Sequence, residues 1–381
     1  MKICHVVAWF PNSRNPLEAS WIQRHIEALS PHCDNSILHL QVIPSTRFSV
    51  IRKSEPGLLQ RIVEIPVNSW KLAEMLTAML LSFYLFTLRF CRQADLINFH
   101  IAYPTLVYWH WMKKFFRRPV VISEHWSAYR FHFGVTDKSK LKSVKRIFRQ
   151  GIPVIAVSSS LLSDIRNFSG GDFKGYIVPN AVSSPFSYRP GERREKFFMA
   201  SYWKSPKRPL VVLEAFKLFA EDHPHFELVI GGGGPHVDIM KRWVDDNDLA
   251  GRVSFVGTLT PEEMASHFSS SQAFLHCSDY ETFSVVCAEA LCCGAPVVAS
   301  NVGGIPEFVD GTNGVLVNEN SAAAWLDALR CFVRRRQEFD SELISRKAID
   351  RFSKEQIGRR YYQILCEVAG EEEKISKMTL T

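Results

Sequence analysis

Glu281 and Glu289 stand eight residues apart, on either side of the apolar run TFSVVCA. The sequence predicts that Glu281 lies in a loop and that Glu289 lies in a short helix, which ends at Gly294. Because the helix neighbours of Glu289 are apolar, its carboxylate needs hydrogen-bond donors to offset the cost of burial. The alternative is that both glutamates are ordinary solvated residues.

The start of the same helix offers a second kind of binding group. The backbone N–H groups around Thr282, Phe283 and Ser284 precede the first hydrogen-bonded turn, and free N–H groups at a helix start attract anions such as phosphate. The strand PVVAS and a Gly-Gly turn follow within one βαβ-sized segment. A buried acceptor beside an anion-binding helix start is what a nucleotide sugar requires, so the segment predicts a nucleotide-sugar site.

This combination resembles the glutamate-x7-glutamate segment of retaining GT-B glycosyltransferases of the family-four type, the glycosyl transferases group 1. The resemblance implies that Glu281 lies beside the transferred sugar and that Glu289 holds the ribose hydroxyls of the nucleotide. It covers residues 1–366 and is most specific over residues 275–317. One departure is Ser284, where the family often has glycine, so the backbone there approaches a ligand less freely.

A lysine near the start of the second half is the predicted partner of the donor diphosphate. The family has an Arg and a Lys there, and Lys207 in the stretch ASYWKSPKRP matches the lysine. Tyr202 stands where the arginine would be, which leaves Lys204 and Arg208 as candidates to replace it. The resemblance implies that Lys207 stabilises the leaving group. The alternative is a solvated loop lysine.

A glycine-rich turn, GGGGP at residues 231–235, follows the predicted strand FELVI. Glycine permits positive φ and close backbone approach to a ligand. The turn matches the family's Gly-x-Gly-Pro, which implies that Gly232 and Gly233 lie against the nucleotide. A purely structural turn is an equally good interpretation of either glycine.

Two histidines follow adjacent predicted strands in the first half of the chain, His100 in LINFH and His125 in VVISEH. The resemblance implies that His125 contacts the donor sugar and the developing charge, and that His100 occupies the family's other recurrent histidine position at the cleft. Ser20 is predicted to cap the helix SWIQRHIEAL, where many members have Gly-Gly, so that its N–H groups face phosphate. Asn180 in IVPNAV is predicted to be a hinge residue.

Strands and helices alternate along the whole chain, which predicts an α/β fold with parallel sheets and helices on both faces. The resemblance implies the GT-B architecture, in which two Rossmann-like, doubly wound domains face each other across a cleft. We predict an acceptor-side domain over residues 1–188 and a nucleotide-sugar-binding domain over residues 189–353. Residues 354–381 are predicted to form a closing helix that returns toward the first domain, followed by a tail.

The basic residues are concentrated in the first half of the chain. Residues 1–190 contain 24 Lys and Arg against 11 Asp and Glu, a balance of +13, whereas the remainder contains 22 against 28, a balance of −6. Two clusters stand out: Lys113, Lys114, Arg117 and Arg118, and the run Lys138–Arg149. No nucleic-acid module accompanies them, so an anionic membrane surface or a phosphorylated substrate is favoured over nucleic acid. A plain solvated basic face is the alternative.

The most apolar run, residues 75–88, is too short to span a bilayer. It predicts a buried or partly exposed helix of the first domain, or a helix that dips into a membrane surface. Nine cysteines without metal-ligand spacing, and an N-terminus that reads as a strand instead of a secretory signal, predict reduced thiols. We therefore expect a cytoplasmic protein, at most peripheral on the inner face of the plasma membrane.

The resemblance implies a retaining glycosyltransferase that moves a sugar from a nucleotide diphosphate donor to a hydroxyl of a glycan acceptor. The stretch SEHWSAY extends the resemblance to a bacterial subgroup in capsule, lipopolysaccharide or exopolysaccharide assembly, which implies a lipid-linked acceptor. No Asp-x-Asp motif follows a strand, so neither a metal nor another cofactor is expected. The alternatives are a nucleotide-sugar 2-epimerase and a non-catalytic sugar-nucleotide or glycan-binding protein. The donor base, the sugar and the acceptor are not specified by the sequence.

Overall fold

The computed structural model describes residues 1–16, 18–116, 118–131 and 138–371. The chain divides into two compact units: the first comprises residues 1–181 and the segment from Lys354 onward, and the second comprises Val182–Ser353. The boundary predicted between residues 188 and 189 lies later than the observed one. The reason is that Val182 forms a parallel bridge with Ser353 and donates its N–H to the carbonyl oxygen of Phe352 at 2.8 Å.

The first unit contains one largely parallel sheet. Its strands are β1 (Lys2–Val7), β2 (Asp34–Pro44), β3 (Ser49–Glu55), β4 (Leu58–Ile65), β5 (Leu96–His100), β6 (Val120–Glu124), β7 (Val154–Ala156) and β8 (Gly175–Ile177). They follow the order β3-β4-β2-β1-β5-β6-β7-β8, and only the β3–β4 pairing among them is antiparallel. The central strands β1 and β5 are almost wholly buried, as parallel strands covered on both faces must be. The strand order reverses between β1 and β5.

Helices connect these strands. They are α1 (Ser20–Leu29), α2 (Trp70–Thr87), α3 (Arg89–Arg92), α4 (Trp109–Met112), α5 (Lys138–Phe148) and α6 (Ser159–Ser169). The helix predicted for the apolar run at residues 75–88 is α2. Leu88 is extended, with φ −70° and ψ 128°, and separates α2 from α3.

The second unit contains a wholly parallel sheet in its described residues. Its strands are β9 (Arg194–Ala200), β10 (Glu227–Gly231), β11 (Val253–Gly257), β12 (Ser271–His276), β13 (Val297–Ser300) and β14 (Gly314–Val317). Its helices are α7 (Pro209–Asp222), α8 (Val237–Asp246), α9 (Pro261–Ser270), α10 (Val285–Cys292), α11 (Ala322–Arg335) and α12 (Ser341–Phe352). The order β11-β10-β9-β12-β13-β14 is that of a Rossmann sheet, in which ligands bind where the order reverses, here between β9 and β12.

The last helix, α13 (Lys354–Ala369), belongs to the first unit. Its residues Ile357, Tyr361 and Leu365 pack in one buried cluster with Ile3 and Leu96 of the sheet. The α/β class and the parallel sheets predicted from the sequence are therefore confirmed. The segments FELVI, LINFH, VVISEH and PVVAS, predicted as strands, form β10, β5, β6 and β13, whereas β3 and β4 were not predicted.

Candidate active site

Lys207 and Glu281 meet at the reversal point of the second sheet. Lys207 follows β9 and forms an antiparallel bridge with Ser278, while Glu281 follows β12. The ammonium of Lys207 forms an ion pair with Glu281 Oε1. His276, the last residue of β12, lies with its Nε2 2.9 Å from the same oxygen. The structure thus brings together two of the predicted catalytic residues and adds a histidine to them.

The surroundings of Glu281 keep its carboxyl ionised. Burial alone would raise its pKa, but the charges and hydrogen bonds of Lys207 and His276 outweigh burial and hold the pKa far below its ordinary value. The pKa of His276 is lowered, first by burial and then by the charge of Lys207. His276 is therefore neutral near pH 7, and its Nε2–H donates to the carboxylate.

The Gly303-Gly304 turn fixes the backbone of Glu281. The N–H of Gly304 donates to the carbonyl oxygen of Glu281 at 3.0 Å. Gly303 has φ +56°, and a Cβ at this position would lie 1.7 Å from that same oxygen. Only glycine allows this approach, so the turn positions Glu281 through its main chain.

Glu289 lies in α10 and is 7% exposed, surrounded by the buried side chains predicted for it. Ser284, the N-cap of α10, has φ 71° and ψ 83° and makes no side-chain capping bond. A residue with a Cβ in this left-handed region costs roughly 1–2 kcal/mol. Serine at this position, where the family often has glycine, is therefore strained.

The loop before α10 is anchored by an aromatic side chain. Phe283 is buried and packs against Phe308 and Phe352, with ring centroids 5.0 and 5.5 Å away. Its side chain is therefore part of the core, so that any contact of Phe283 with a donor falls to its backbone. Thr282 lies between Phe283 and Glu281 and is partly exposed.

The glycine-rich turn packs closely against the segment after β9. Gly232 has φ +97°, a Cβ there would lie 1.9 Å from the carbonyl oxygen of Ser201, and its N–H donates to Gly257 at 2.6 Å. The carbonyl oxygen of Gly233 accepts the N–H of Trp203 at 2.7 Å. These contacts require glycine at position 232 for structural reasons. Contact of Gly232 and Gly233 with a nucleotide stays a prediction.

The candidates for the missing arginine have other contacts. Tyr202 is 62% exposed, and the Lys204 ammonium lies 5.4 Å from the centre of its ring. Arg208 pairs with Asp279 at 3.3 Å on the surface. Lys207 is thus the cation that the structure couples to Glu281, while Lys204 and Arg208 are held by neighbours.

In the first unit, His125 follows β6 and is almost fully buried. Its Nδ1 lies 3.2 Å from Asn180 Oδ1, and its Nε2 has no hydrogen-bond partner among the described residues. Burial, followed by the nearby His25, lowers the pKa of His125 well below its ordinary value, so the ring is neutral. Because an amide oxygen only accepts, Nδ1 carries the proton and Nε2 presents a lone pair. Asn180 thus orients the His125 ring and fixes its tautomer, whereas contact of His125 with a donor sugar stays a prediction.

His100, the last residue of β5, is fully buried in a polar cluster. Its Nε2 lies 3.0 Å from His5 Nδ1 and 3.3 Å from Asn98 Nδ2. Asn98 also donates to Tyr361 of α13 at 2.6 Å. These contacts hold the His100 ring inside the first unit, and the cleft position implied for it stays a prediction.

The predicted N-cap at Ser20 is wrong by one residue. Ser20 is the first residue of α1, and the N-cap is Ala19, which has φ 49° and ψ 39°. Without a hydroxyl, Ala19 makes no side-chain cap, so its left-handed conformation sets the entry of the chain into α1. The N–H groups at the start of α1 remain a predicted phosphate contact.

Sequence reasoning missed His276 and the bond of Asn180 to His125. His276 carried a usable signal, since it is a polar residue at the end of a predicted strand, five positions before Glu281. Within the described ranges, no three His, Cys, Asp or Glu side chains are grouped so that they could hold a metal ion.

Comparison with known proteins gives matches to the second unit. Residues 183–356, somewhat less than half of the chain, match the family model described as glycosyl transferases group 1. D-inositol 3-phosphate glycosyltransferase from Corynebacterium jeikeium is 31% identical over 131 residues, which are 32% of this chain and 31% of that protein. The Corynebacterium kroppenstedtii protein of the same name is 36% identical over 132 residues, 32% of this chain and 29% of that protein. The match thus spans about a third of each relative.

Solved structures share the fold over nearly the whole chain. Sucrose-phosphate synthase from Thermosynechococcus elongatus superposes with a TM-score of 0.72 at 17% identity, covering 97% of this chain and 100% of that one. Anabaena HepE in complex with UDP gives 0.72 at 17% identity, covering 96% and 100%. The lipopolysaccharide outer core galactosyltransferase WaaB gives 0.71 at 15% identity, covering 96% and 99%. The predicted GT-B fold class, with two Rossmann-like domains, is confirmed by these neighbours.

Proposed function

We propose that this protein is a retaining glycosyltransferase that uses a nucleotide diphosphate sugar as donor and a glycan hydroxyl as acceptor. The observation that carries the proposal is the ion pair of Lys207 and Glu281 at the reversal point of a Rossmann sheet, inside the segment that matches glycosyl transferases group 1. A cation for a diphosphate and a carboxylate for a sugar hydroxyl lie there side by side.

A nucleotide diphosphate sugar has three polar parts, the diphosphate, the ribose and the sugar, and the proposal assigns a protein side chain to each. Lys207 neutralises the diphosphate, Glu289 accepts hydrogen bonds from the ribose hydroxyls, and Glu281 accepts a hydrogen bond from the sugar. The helix start at Ser284 adds backbone N–H groups for phosphate. HepE, which shares the fold, was solved with UDP, and this supports a uridine nucleotide as the first donor to test.

The reaction exchanges one bond of the anomeric carbon for another. The bond from the sugar C1 to the β-phosphate oxygen breaks, the acceptor oxygen bonds to C1 on the same face, and the acceptor proton passes to the departing diphosphate. Lys207 and the helix start stabilise the charge that grows on the diphosphate, which is electrostatic catalysis by groups already in place. Neither a metal ion nor another cofactor is part of this proposal.

The acceptor in this proposal is a lipid-linked glycan in bacterial surface polysaccharide assembly, reached from the cytoplasmic face of the plasma membrane. The basic first half of the chain supports an anionic surface as its location. The proposal does not include the inositol phosphate acceptor in the name of the relatives, because the match covers only about a third of those proteins.

Transfer can be tested with purified protein and isotopically labelled UDP-, GDP- and ADP-sugars, with and without a membrane extract as the source of acceptor. We expect release of the nucleoside diphosphate that depends on acceptor, and NMR of the product should show the donor's anomeric configuration. Isomerised donor without acceptor would identify an epimerase. Binding of nucleotide sugars without turnover across all extracts would indicate a binding protein, and either result would overturn the proposal.

A further inference from the structure

The solvent face of α2 is apolar. Met75, Met79, Phe83 and Phe86 are 42%, 53%, 59% and 72% exposed. We call these four residues the α2 face. They recur every three or four positions and therefore form one stripe along the helix, about 17 Å long at 1.5 Å per residue.

The opposite side of α2 is mainly apolar and packs on its own unit. Ala73, Leu81 and Leu85 are buried there, together with Thr77, whose hydroxyl accepts the N–H of Val42 at 3.1 Å. A helix on the surface of a globular protein normally turns polar residues toward water, and one that is apolar on all sides is covered on all sides. Large exposed apolar patches mark surfaces for partners or membranes. We therefore expect a partner or a membrane to cover the α2 face.

The charges around the α2 face favour an anionic partner. Lys71, Arg89 and Arg92 are exposed along α2 and α3, and Arg118 donates to the carbonyl oxygen of Arg92 at 3.1 Å. Glu74 is the one acidic residue between positions 65 and 94, and it accepts the hydroxyl of Tyr103 at 2.5 Å. The rim of the stripe is consequently positive.

The basic residues that the sequence predicted to attract lipid add to the positive charge of this unit. Lys113 and Lys114 are exposed, as is Arg118, whereas Arg117 lies outside the described residues. A second copy of the chain docked face to face would bring two positive rims together, which is unfavourable. An anionic bilayer satisfies the rim and the stripe at once.

We propose that α2 is the membrane-docking element of this protein and lies in the plane of an anionic lipid surface, with Phe83 and Phe86 inserted among the acyl chains. None of the described helices is long and apolar enough to cross a bilayer. The inference rests on the peripheral location in the proposed function and assigns that location to a particular surface. It is independent of the identity of the donor.

The test is flotation of the full chain with phosphatidylcholine vesicles, with and without phosphatidylglycerol. Phe83→Ser/Phe86→Ser should lower the partition coefficient for anionic vesicles by at least about tenfold, because two inserted aromatic rings are lost. Leu218→Ser, which changes an exposed leucine of α7, is the matched control and should bind like the wild type. Arg89→Ser/Arg92→Ser should weaken binding at low salt and reduce its salt dependence.

Circular dichroism and nucleotide binding on the same preparations separate the possible outcomes. Loss of vesicle binding in the double Phe variant, with the fold intact, supports the inference even if no nucleotide binds. Vesicle binding that persists in this variant overturns it, and the peripheral location itself then survives through the basic residues. A wild type that ignores vesicles and forms dimers, which the double Phe variant abolishes, also overturns it, since the face then belongs to a second copy.

Discussion

The ammonium of Lys207 neutralises the carboxylate of Glu281, a residue 74 positions away in the chain, at the reversal point between β9 and β12. In the proposed function, a donor diphosphate would compete with Glu281 for the lysine. His276 Nε2 lies 2.9 Å from the same carboxylate oxygen and offers Glu281 a second partner. The proposal therefore links donor binding to the release of Glu281 from Lys207.

Replacing Glu281 by Gln should strengthen nucleotide binding while it weakens transfer. The amide keeps the shape of the side chain but releases Lys207 and removes a negative charge beside the diphosphate. We expect the Kd for UDP to fall by about tenfold, which is on the order of 1.4 kcal/mol. The rate of sugar transfer should fall, because the group that holds the sugar is lost. Titration calorimetry and single-turnover assays measure the two effects.

The matched control for this change is Asp279→Asn. Asp279 pairs with Arg208 at 3.3 Å, and both side chains are about half exposed, so this ion pair is worth little. Its removal should leave both measurements within error of the wild type. Weaker UDP binding by Glu281→Gln would contradict the competition between Glu281 and the diphosphate.

Glu289→Ala should weaken nucleotide binding about 10- to 100-fold, because it removes a charge-assisted hydrogen bond worth roughly 1.5–3 kcal/mol. The side chain lies in α10, and alanine is a good helix residue, so the fold should survive. Calorimetry should show a parallel loss for UDP and for uridine, since both carry the ribose. An unchanged affinity for both would remove Glu289 from the donor site.

The sequence allowed the proposed donor-site residues to be named because they lie close together in the chain or follow predictable strands. Glu281 and Glu289 share one βαβ segment, and Lys207 follows the first strand of the second unit. His276 was overlooked because its contact with Glu281 depends on the turn that follows β12. The role of Asn180 was missed because the residue meets His125 across 55 positions, a pairing that only the folded sheet creates.

Gly303→Ala should disrupt the donor site through the main chain. The added Cβ would overlap the carbonyl oxygen of Glu281, and alanine would also have to adopt φ +56°. The loss of stability should exceed about 1 kcal/mol, and UDP binding should fall with it. Gly311→Ala is the control, because a Cβ there meets only the Arg335 side chain at 4.0 Å. Equal melting temperatures and UDP affinities for the two variants would show that the turn does not hold Glu281.

Three structural features were not predicted from the sequence, because they depend on tertiary packing or have only a weak local signal. The β3–β4 hairpin had a readable Pro56-Gly57 turn, and Gly57 adopts φ +75° there. The exposed side of α2 could not be distinguished from its buried side, because both are apolar. The burial of His100 follows from the approach of α13, whose Tyr361 reaches the polar cluster from more than 250 residues away.

Donor turnover should continue in the presence of EDTA. In the proposal the charge on the leaving diphosphate is stabilised by Lys207 and by helix N–H groups, which need no metal ion. The assay compares nucleoside diphosphate release before and after dialysis against EDTA, with a metal-dependent glycosyltransferase treated in parallel. Activity that disappears on chelation and returns with Mg²⁺ or Mn²⁺ would assign the leaving-group chemistry to a metal.

Stability of the first unit should decrease as the pH falls from 6.5 toward 4. Burial lowers the pKa of His5, His25 and His39 from the ordinary value of 6.5 to about 4. Between these two pH values the three side chains are protonated in the unfolded chain and neutral in the folded unit. Their stabilising effect is complete above pH 6.5 and is lost as the pH falls toward 4, at roughly 3 kcal/mol for each histidine. Glu124 acts in the opposite sense, because burial outweighs its hydrogen bonds and raises its pKa to about 7.

The histidines outnumber this single carboxyl, so the net trend should follow them. His25→Gln keeps a donor for the carbonyl oxygen of Pro179, which His25 Nε2 contacts at 2.9 Å, and removes the titrating ring. In scanning calorimetry between pH 8 and pH 4.5, the first unit of this variant should lose less stability than that of the wild type. His225→Gln, at an exposed position of the second unit, should follow the wild-type curve. Identical pH dependence for all three proteins would mean that His25 titrates normally in the folded state.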